Sequence, residues 1–129
     1  MILDTSAVLA ILFHEPEAAL FAGIIAQADS CVISAATFTE ISIVVEARTG
    51  DAGSRQWDAF FRIAGIVVEP VTEDQARAAA QAWSKFGKGR HPAALNFGDC
   101  FSYALAKVAT EPLLFKGTDF RHTDVIPAN

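Results

Sequence analysis

Met1-Ile2-Leu3-Asp4-Thr5-Ser6 decides the fold. Three apolar residues read as a short strand. They end on a carboxylate, and Ser6 then stands where a hydroxyl can cap a helix running through Phe13. A strand that passes directly into a helix is the opening unit of an α/β chain. The same alternation continues downstream. Pro16 suits the first turn of a second helix, whose apolar face is Leu20, Phe21, Ile24, Ile25 and Ala28 at 3.6-residue spacing. Cys31-Val32-Ile33-Ser34 reads as the second strand.

Ile41-Ser42-Ile43-Val44-Val45 is β-branched enough for a strand. The capping-box spacing of Thr37-x-x-Glu40 and the stop at Gly50 favour a helix instead. Trp57, Phe60, Phe61 and Ala64 mark a further helix, and Ile66-Val67-Val68 a third strand. Thr72-x-x-Gln75 opens another helix with Ala76, Ala80 and Trp83 inward. After the basic loop Lys85 to Pro92, Asn96 caps a helix carrying Phe97, Phe101, Ala104, Leu105 and Val108 on one face. Pro112-Leu113-Leu114-Phe115 is the fourth strand, and Thr123-Asp124-Val125-Ile126 a candidate fifth. The expected architecture is a three-layer α/β/α domain with a mostly parallel sheet of four or five short strands, formed by residues 1–129 as one domain.

Composition limits the function classes. The chain has 129 residues, 52% of them hydrophobic and 19% charged, which excludes disordered and low-complexity classes. The longest apolar stretch, Ala18 to Ala26, falls short of the roughly 18–20 residues of a membrane helix. No basic segment precedes the apolar N-terminus, so no signal peptide is expected. Cys31 and Cys100 have no partners at metal spacing and read as buried thiols of a reducing, cytoplasmic compartment. Net charge is −5, but residues 71–129 carry seven basic and six acidic side chains, so a local basic strip coexists with an acidic total.

Ligands of parallel sheets bind at the carboxyl ends of the strands. Asp4 ends the first strand, Glu40 lies in the first turn after the second, Asp99 opens the helix before the fourth, and Asp119 follows the fourth by a short turn. Each has a plainer reading. Glu40 completes a capping box, Asp99 favours a helix N-terminus, and Asp119 is a turn residue. Asp4 resists such a reading, because a carboxylate ending an apolar strand is costly unless partnered. Converging carboxylates need a counter-charge, and a hard divalent cation with oxygen ligands supplies it. Such a site suits phosphodiester hydrolysis. The lone histidines 14, 91 and 122 offer no softer metal site, and no phosphate-binding glycine loop or Gly-x-Ser-x-Gly motif is present.

Asp4-Thr5-Ser6-Ala7, Glu40, Asn96-Phe97-Gly98-Asp99-Cys100 and Gly117-Thr118-Asp119-Phe120 together resemble the PIN domain, and in particular the VapC-type toxins of bacterial type II toxin–antitoxin operons. The resemblance spans essentially the whole chain. It implies a Mg²⁺- or Mn²⁺-dependent endoribonuclease with Asp4 and Asp99 as core metal ligands and Glu40 and Asp119 as the remaining acids. Ser6 and Thr118 match neighbouring polar positions, and Asp124 is an extra carboxylate able to support Asp119. The resemblance also implies a VapB-type antitoxin.

Lys85, Lys88, Arg90 and Lys116 are the expected RNA phosphate contacts, against the alternative of a solvated loop. Residues 16–64 hold more apolar side chains than two or three helices can turn toward one sheet. Phe38 or Ile43 is therefore expected to point away from the core, in a surface that serves a homodimer and an antitoxin helix. Two other classes compete with a nuclease. A receiver-like signalling module would also bind Mg²⁺, but needs an aspartate after the third strand, where this chain has Glu69-Pro70. Intact acids at all four positions disfavour a catalytically inactive PIN-fold binding module.

Overall fold

The computed structural model describes all 129 residues, Met1–Asn129. Strand β1 (Ile2–Leu3) leads into α1 (Thr5–Leu12), then α2 (Ala18–Gln27), β2 (Val32–Ser34), α3 (Ala35–Ile63), β3 (Val67–Glu69), α4 (Glu73–Phe86), α5 (Phe97–Ala109) and β4 (Leu113–Leu114). A short 3-10 turn covers Asp119–His122. The sheet is parallel in the order β3-β2-β1-β4, with Ile2 opposite both Val32 and Leu113.

Alternation along these strands builds two cores on opposite faces of the sheet. Ile2, Leu113 and Phe115 join α4 and α5 in one, with Leu95, Tyr103 and Leu105. Leu3, Ile33 and Leu114 join α1, α2 and α3 in the other, with Val8, Phe21, Ile41, Val45 and Trp57. The result is the expected three-layer domain. No helix is long and apolar enough to cross a membrane.

Several local expectations are corrected. The stretch 123–126 forms no strand. Pairing there is confined to one bridge after the 3-10 turn, Leu113 to Pro127, with the Leu113 N–H donating to the Ile126 carbonyl and the Ala128 N–H to the Leu113 carbonyl. Asp4, not Ser6, is the cap of α1, because the helix begins at the residue after it. Ser34 caps α3 through a bond from the Ala36 N–H. The Thr37–Glu40 capping box therefore does not form, and Thr37 is buried against the Ser102 hydroxyl at 3.2 Å. Gly50 breaks α3 at φ 61°, ψ −156°, a conformation that only glycine adopts freely. On α4 the inward residues are Gln75, Ala79, Ala82 and Phe86, whereas Ala76, Ala80 and Trp83 face outward. Leu20, Phe97 and Val108, expected inward, are also exposed. Of the two candidates for the surface, Ile43 is the exposed one, at 62%. Phe38 packs on Trp57 and Phe61 at centroid distances of 5.7 and 5.4 Å.

Candidate active site

Asp4 is 2% exposed at the β1–α1 junction. Its Oδ2 accepts from the Ser6 backbone N–H at 2.9 Å and from the Ser6 hydroxyl at 2.5 Å. The Ser6 oxygen in turn accepts from the Lys116 backbone N–H at 3.0 Å, tying the segment after β4 to the end of β1. The other oxygen of Asp4, Oδ1, is buried without a partner.

Glu40 lies in the second turn of α3, not the first, since the helix starts at Ala35. Thr5 donates to its Oε2 at 2.5 Å. On its other side the carboxylate lies against the backbone of Gly98, where a Cβ would come within 2.6 Å of both oxygens. Asp99 opens α5 in a reciprocal capping box. Its Oδ2 accepts from the Asn96 N–H at 2.8 Å, and its own N–H donates to Asn96 Oδ1 at 2.9 Å. Asp119 begins the 3-10 turn at the surface beside Thr118, whose side chain makes no cap bond.

The electrostatics link the four acids. Burial pushes the Asp99 carboxyl up to about 6; the Asn96 N–H opposes the rise, and the charges of Asp4, Glu40 and Asp119 add to it. None of the four takes part in an ion pair. The fold thus gathers four carboxylates from β1, α3, α5 and the turn after β4 without supplying a cation. No three of them close around one point as a finished cage. Mg²⁺ does not need one, since it takes one or two carboxylates and keeps several waters. The orphaned, buried Oδ1 of Asp4 and the all-oxygen donor set fit such a hard divalent cation.

Other anticipated residues sit elsewhere. Asp124 is bound by the Tyr103 hydroxyl at 2.6 Å and by Lys107 at 3.2 Å. The Tyr103 hydrogen bond, foremost, lowers the pKa of Asp124, and its charge is not among those raising Asp99. The Lys116 ammonium is held by Glu15 at 2.5 Å and Glu17 at 3.2 Å. Lys85, Lys88 and Arg90 are exposed. Lys85 lies over the Phe86 ring at 4.8 Å and Arg90 over Trp83 at 4.3 Å. Thr5 and Gly98 were missed by sequence reasoning. A glycine in the first turn of a helix, beside an acid, was the available signal, because glycine weakens a helix unless something approaches its backbone.

Beside the acids lies an apolar surface. Phe97 is 78% exposed and packs edge-on against Phe101 at 4.9 Å. Two cavities flank this pair. One, of about 330 Å³, includes Ala76, Ala80 and Trp83. The other, of about 390 Å³, includes Ile43, Val44, Glu40 and Gly98.

The PIN domain model matches residues 1–126. A Mycolicibacterium smegmatis protein named ribonuclease VapC is 50% identical over 125 residues, 97% of each chain. The crystal structure of Mycobacterium tuberculosis VapC20, described as a sarcin-ricin loop cleaving toxin, superposes with a TM-score of 0.77 at 19% identity, covering 97% of this chain and 95% of that one. A crystal structure of VapBC2 from Rickettsia felis, bound to a DNA fragment from its promoter, gives 0.74 at 16% identity over 98% and 95%. The two structures agree with this chain in fold at low identity, while the first relative shares half of its residues over nearly the whole chain. On that footing the chain belongs to the PIN-domain family and, within it, to the VapC ribonucleases.

Proposed function

We propose that this chain is the toxin component of a type II toxin–antitoxin system, an endoribonuclease that hydrolyses phosphodiester bonds in RNA with Mg²⁺ or Mn²⁺. One observation carries the reading: a half-buried Asp99 surrounded by the charges of Asp4, Glu40 and Asp119 with no protein cation to balance them. The ribonuclease name of a relative at 50% identity supports the choice of reaction. A bound divalent cation supplies positive charge and an activated water to phosphodiester hydrolysis.

The protein's own part is to hold oxygens in place. Asp4 and Asp99 are the core ligands, and Glu40 and Asp119 complete the acidic set. Ser6 fixes Asp4 through two bonds to one oxygen, which leaves the other for the cation. Asn96 restrains Asp99 through one bond, from its backbone N–H to Oδ2. Thr118 is the polar neighbour of Asp119. Lys85, Lys88 and Arg90 bind phosphates of the RNA flanking the cut and so position it. Lys116 joins them only if its ammonium leaves Glu15 and Glu17.

The chain works as a single domain in the cytoplasm, as a homodimer, restrained by a VapB-type antitoxin. Support for the antitoxin comes from the VapBC2 neighbour. Support for the dimer comes from the exposed Phe97, Ile43 and Trp83. The test is incubation with cellular RNA, with and without EDTA, comparing wild type with Asp99→Asn and mapping the new ends. Discrete wild-type ends that vanish with EDTA and with the variant are expected. Cleavage indifferent to both overturns the reading.

A further inference from the structure

The grip on Glu40 comes from the two segments that carry the other core acids. Thr5 follows Asp4, and its hydroxyl donates to Glu40 Oε2 at 2.5 Å. Gly98 precedes Asp99, and its bare backbone lies where an ideal Cβ would meet Oε1 and Oε2 at 2.6 Å and Cδ at 2.8 Å. Glu40 itself stands on α3 and reaches this point through a flexible side chain. Nothing cationic pairs with it.

We propose that Thr5 and Gly98 form a clamp that positions the Glu40 carboxylate relative to Asp4 and Asp99, Thr5 by a hydrogen bond and Gly98 by leaving room. The inference rests on the reading of Glu40 as part of a divalent-cation site. A hydroxyl is suited to this task. It restrains a carboxylate without adding positive charge, so the acidic set keeps its attraction for a cation. A lysine or arginine in its place would hold Glu40 more strongly and cancel that attraction. Glycine at 98 does the complementary work. In the first turn of a helix an alanine is the better helix former, so the missing methyl serves the approach of Glu40 and not the helix. Since the atoms nearest to that methyl are the far end of a flexible side chain, Gly98→Ala displaces Glu40 and leaves α5 intact.

The clamp is tested by Mn²⁺ titration of the full chain, with free ion read by electron paramagnetic resonance, alongside thermal melts in EDTA. The variants are Thr5→Val, Thr5→Ser, Gly98→Ala and Glu40→Gln. Thr5→Val is expected to weaken Mn²⁺ binding roughly tenfold, in keeping with the loss of a hydrogen bond to a charged group, and Thr5→Ser to restore it. Gly98→Ala is expected to weaken Mn²⁺ binding by a similar factor while the metal-free protein melts at the wild-type temperature or above. A purely structural role would move the two readouts together. Combining Thr5→Val with Glu40→Gln should weaken binding no further than Glu40→Gln alone. If Glu40→Gln weakens Mn²⁺ binding but either Thr5→Val or Gly98→Ala keeps wild-type affinity, the clamp is overturned and the site reading stands. If Glu40→Gln itself leaves affinity unchanged, the placement of Glu40 in the cation site fails, and the clamp with it.

Discussion

Ser6 and Asp4 are joined twice, by hydroxyl and by backbone N–H, and both bonds end on the same oxygen of Asp4. The same hydroxyl oxygen accepts the Lys116 N–H. Ser6→Ala therefore removes one bond to a buried carboxylate and leaves a backbone donor unsatisfied. Urea denaturation should register a loss of about 1–3 kcal/mol. Single-turnover cleavage should slow as well, because Oδ2 of Asp4 is no longer fixed from two sides. Wild-type stability in this variant would show the bonds to be dispensable.

Asp99 predicts how the metal-free protein responds to pH. Its carboxyl ionises at about 6, against an ordinary value of 3.8. Between those values the folded state holds more protons than the unfolded one. The associated stability is complete below about pH 4 and is lost as pH rises through about 6. Its size is up to ~3 kcal/mol before solvent screening reduces it. In EDTA, Asp99→Asn should match wild type only below about pH 4; its melting advantage should grow between about pH 4 and 6 and then level off. Asp4→Asn should likewise be as stable as wild type or more so, since it relieves repulsion among the acids. An Asp99→Asn advantage that ignores pH would contradict the assignment.

Cation binding should run the opposite way with pH. Only ionised Asp99 is a ligand, so the half-saturating Mn²⁺ concentration should fall as pH rises through about 6. Mg²⁺ should raise the melting temperature of wild type more than that of Asp99→Asn. Equal shifts in the two proteins would sink a site built on this residue.

For the basic loop, replacing Lys85, Lys88 and Arg90 together should weaken RNA binding and flatten its salt dependence by roughly 0.7 per lost phosphate contact. The ends produced should stay where they were, because phosphate contacts carry no base information. Arg90 stacks on Trp83, so its single replacement should also lower stability slightly. An unchanged salt slope returns the loop to a solubilising role.

Two partners remain to be tested at the surface. Light scattering should give a dimer for wild type, shifted toward monomer by Phe97→Asp, which puts a charge on the exposed ring position beside Phe101. A wild-type monomer at high concentration defeats the dimer. The acidic set should also receive a lysine or arginine of the antitoxin. Calorimetry should then find antitoxin binding weakened both by Mg²⁺ and by Asp99→Asn, and indifference to both would refute that charge exchange.

The sequence by itself determined the alternation of strands and helices, the parallel sheet and the order of the four acids. These follow from neighbours along the chain: apolar runs of three or four, hydroxyls and asparagine before helices, and carboxylates at their junctions. The Asn96 cap of α5 was legible for the same reason, and the structure adds the bond that Asp99 accepts from the Asn96 N–H. Where several local solutions competed, packing chose among them. Ser34, Thr37 and Ser6 all carry hydroxyls near helix starts, and only the end of each strand decided which residue became the cap. On α4, alanines lie on every side, so a periodic reading could not tell Ala76 and Ala80 from Ala79 and Ala82. Packing against α5 chose the second pair, burying it on the same face as Gln75 and Phe86. The site itself depended most on tertiary structure. Which oxygen of Asp4 is left without a partner, and that Thr5 and Gly98 hold Glu40 between them, are relations across 35 and 58 residues of chain. No local pattern encodes them, because a side chain's partners at such separation are set by how the layers close on the sheet.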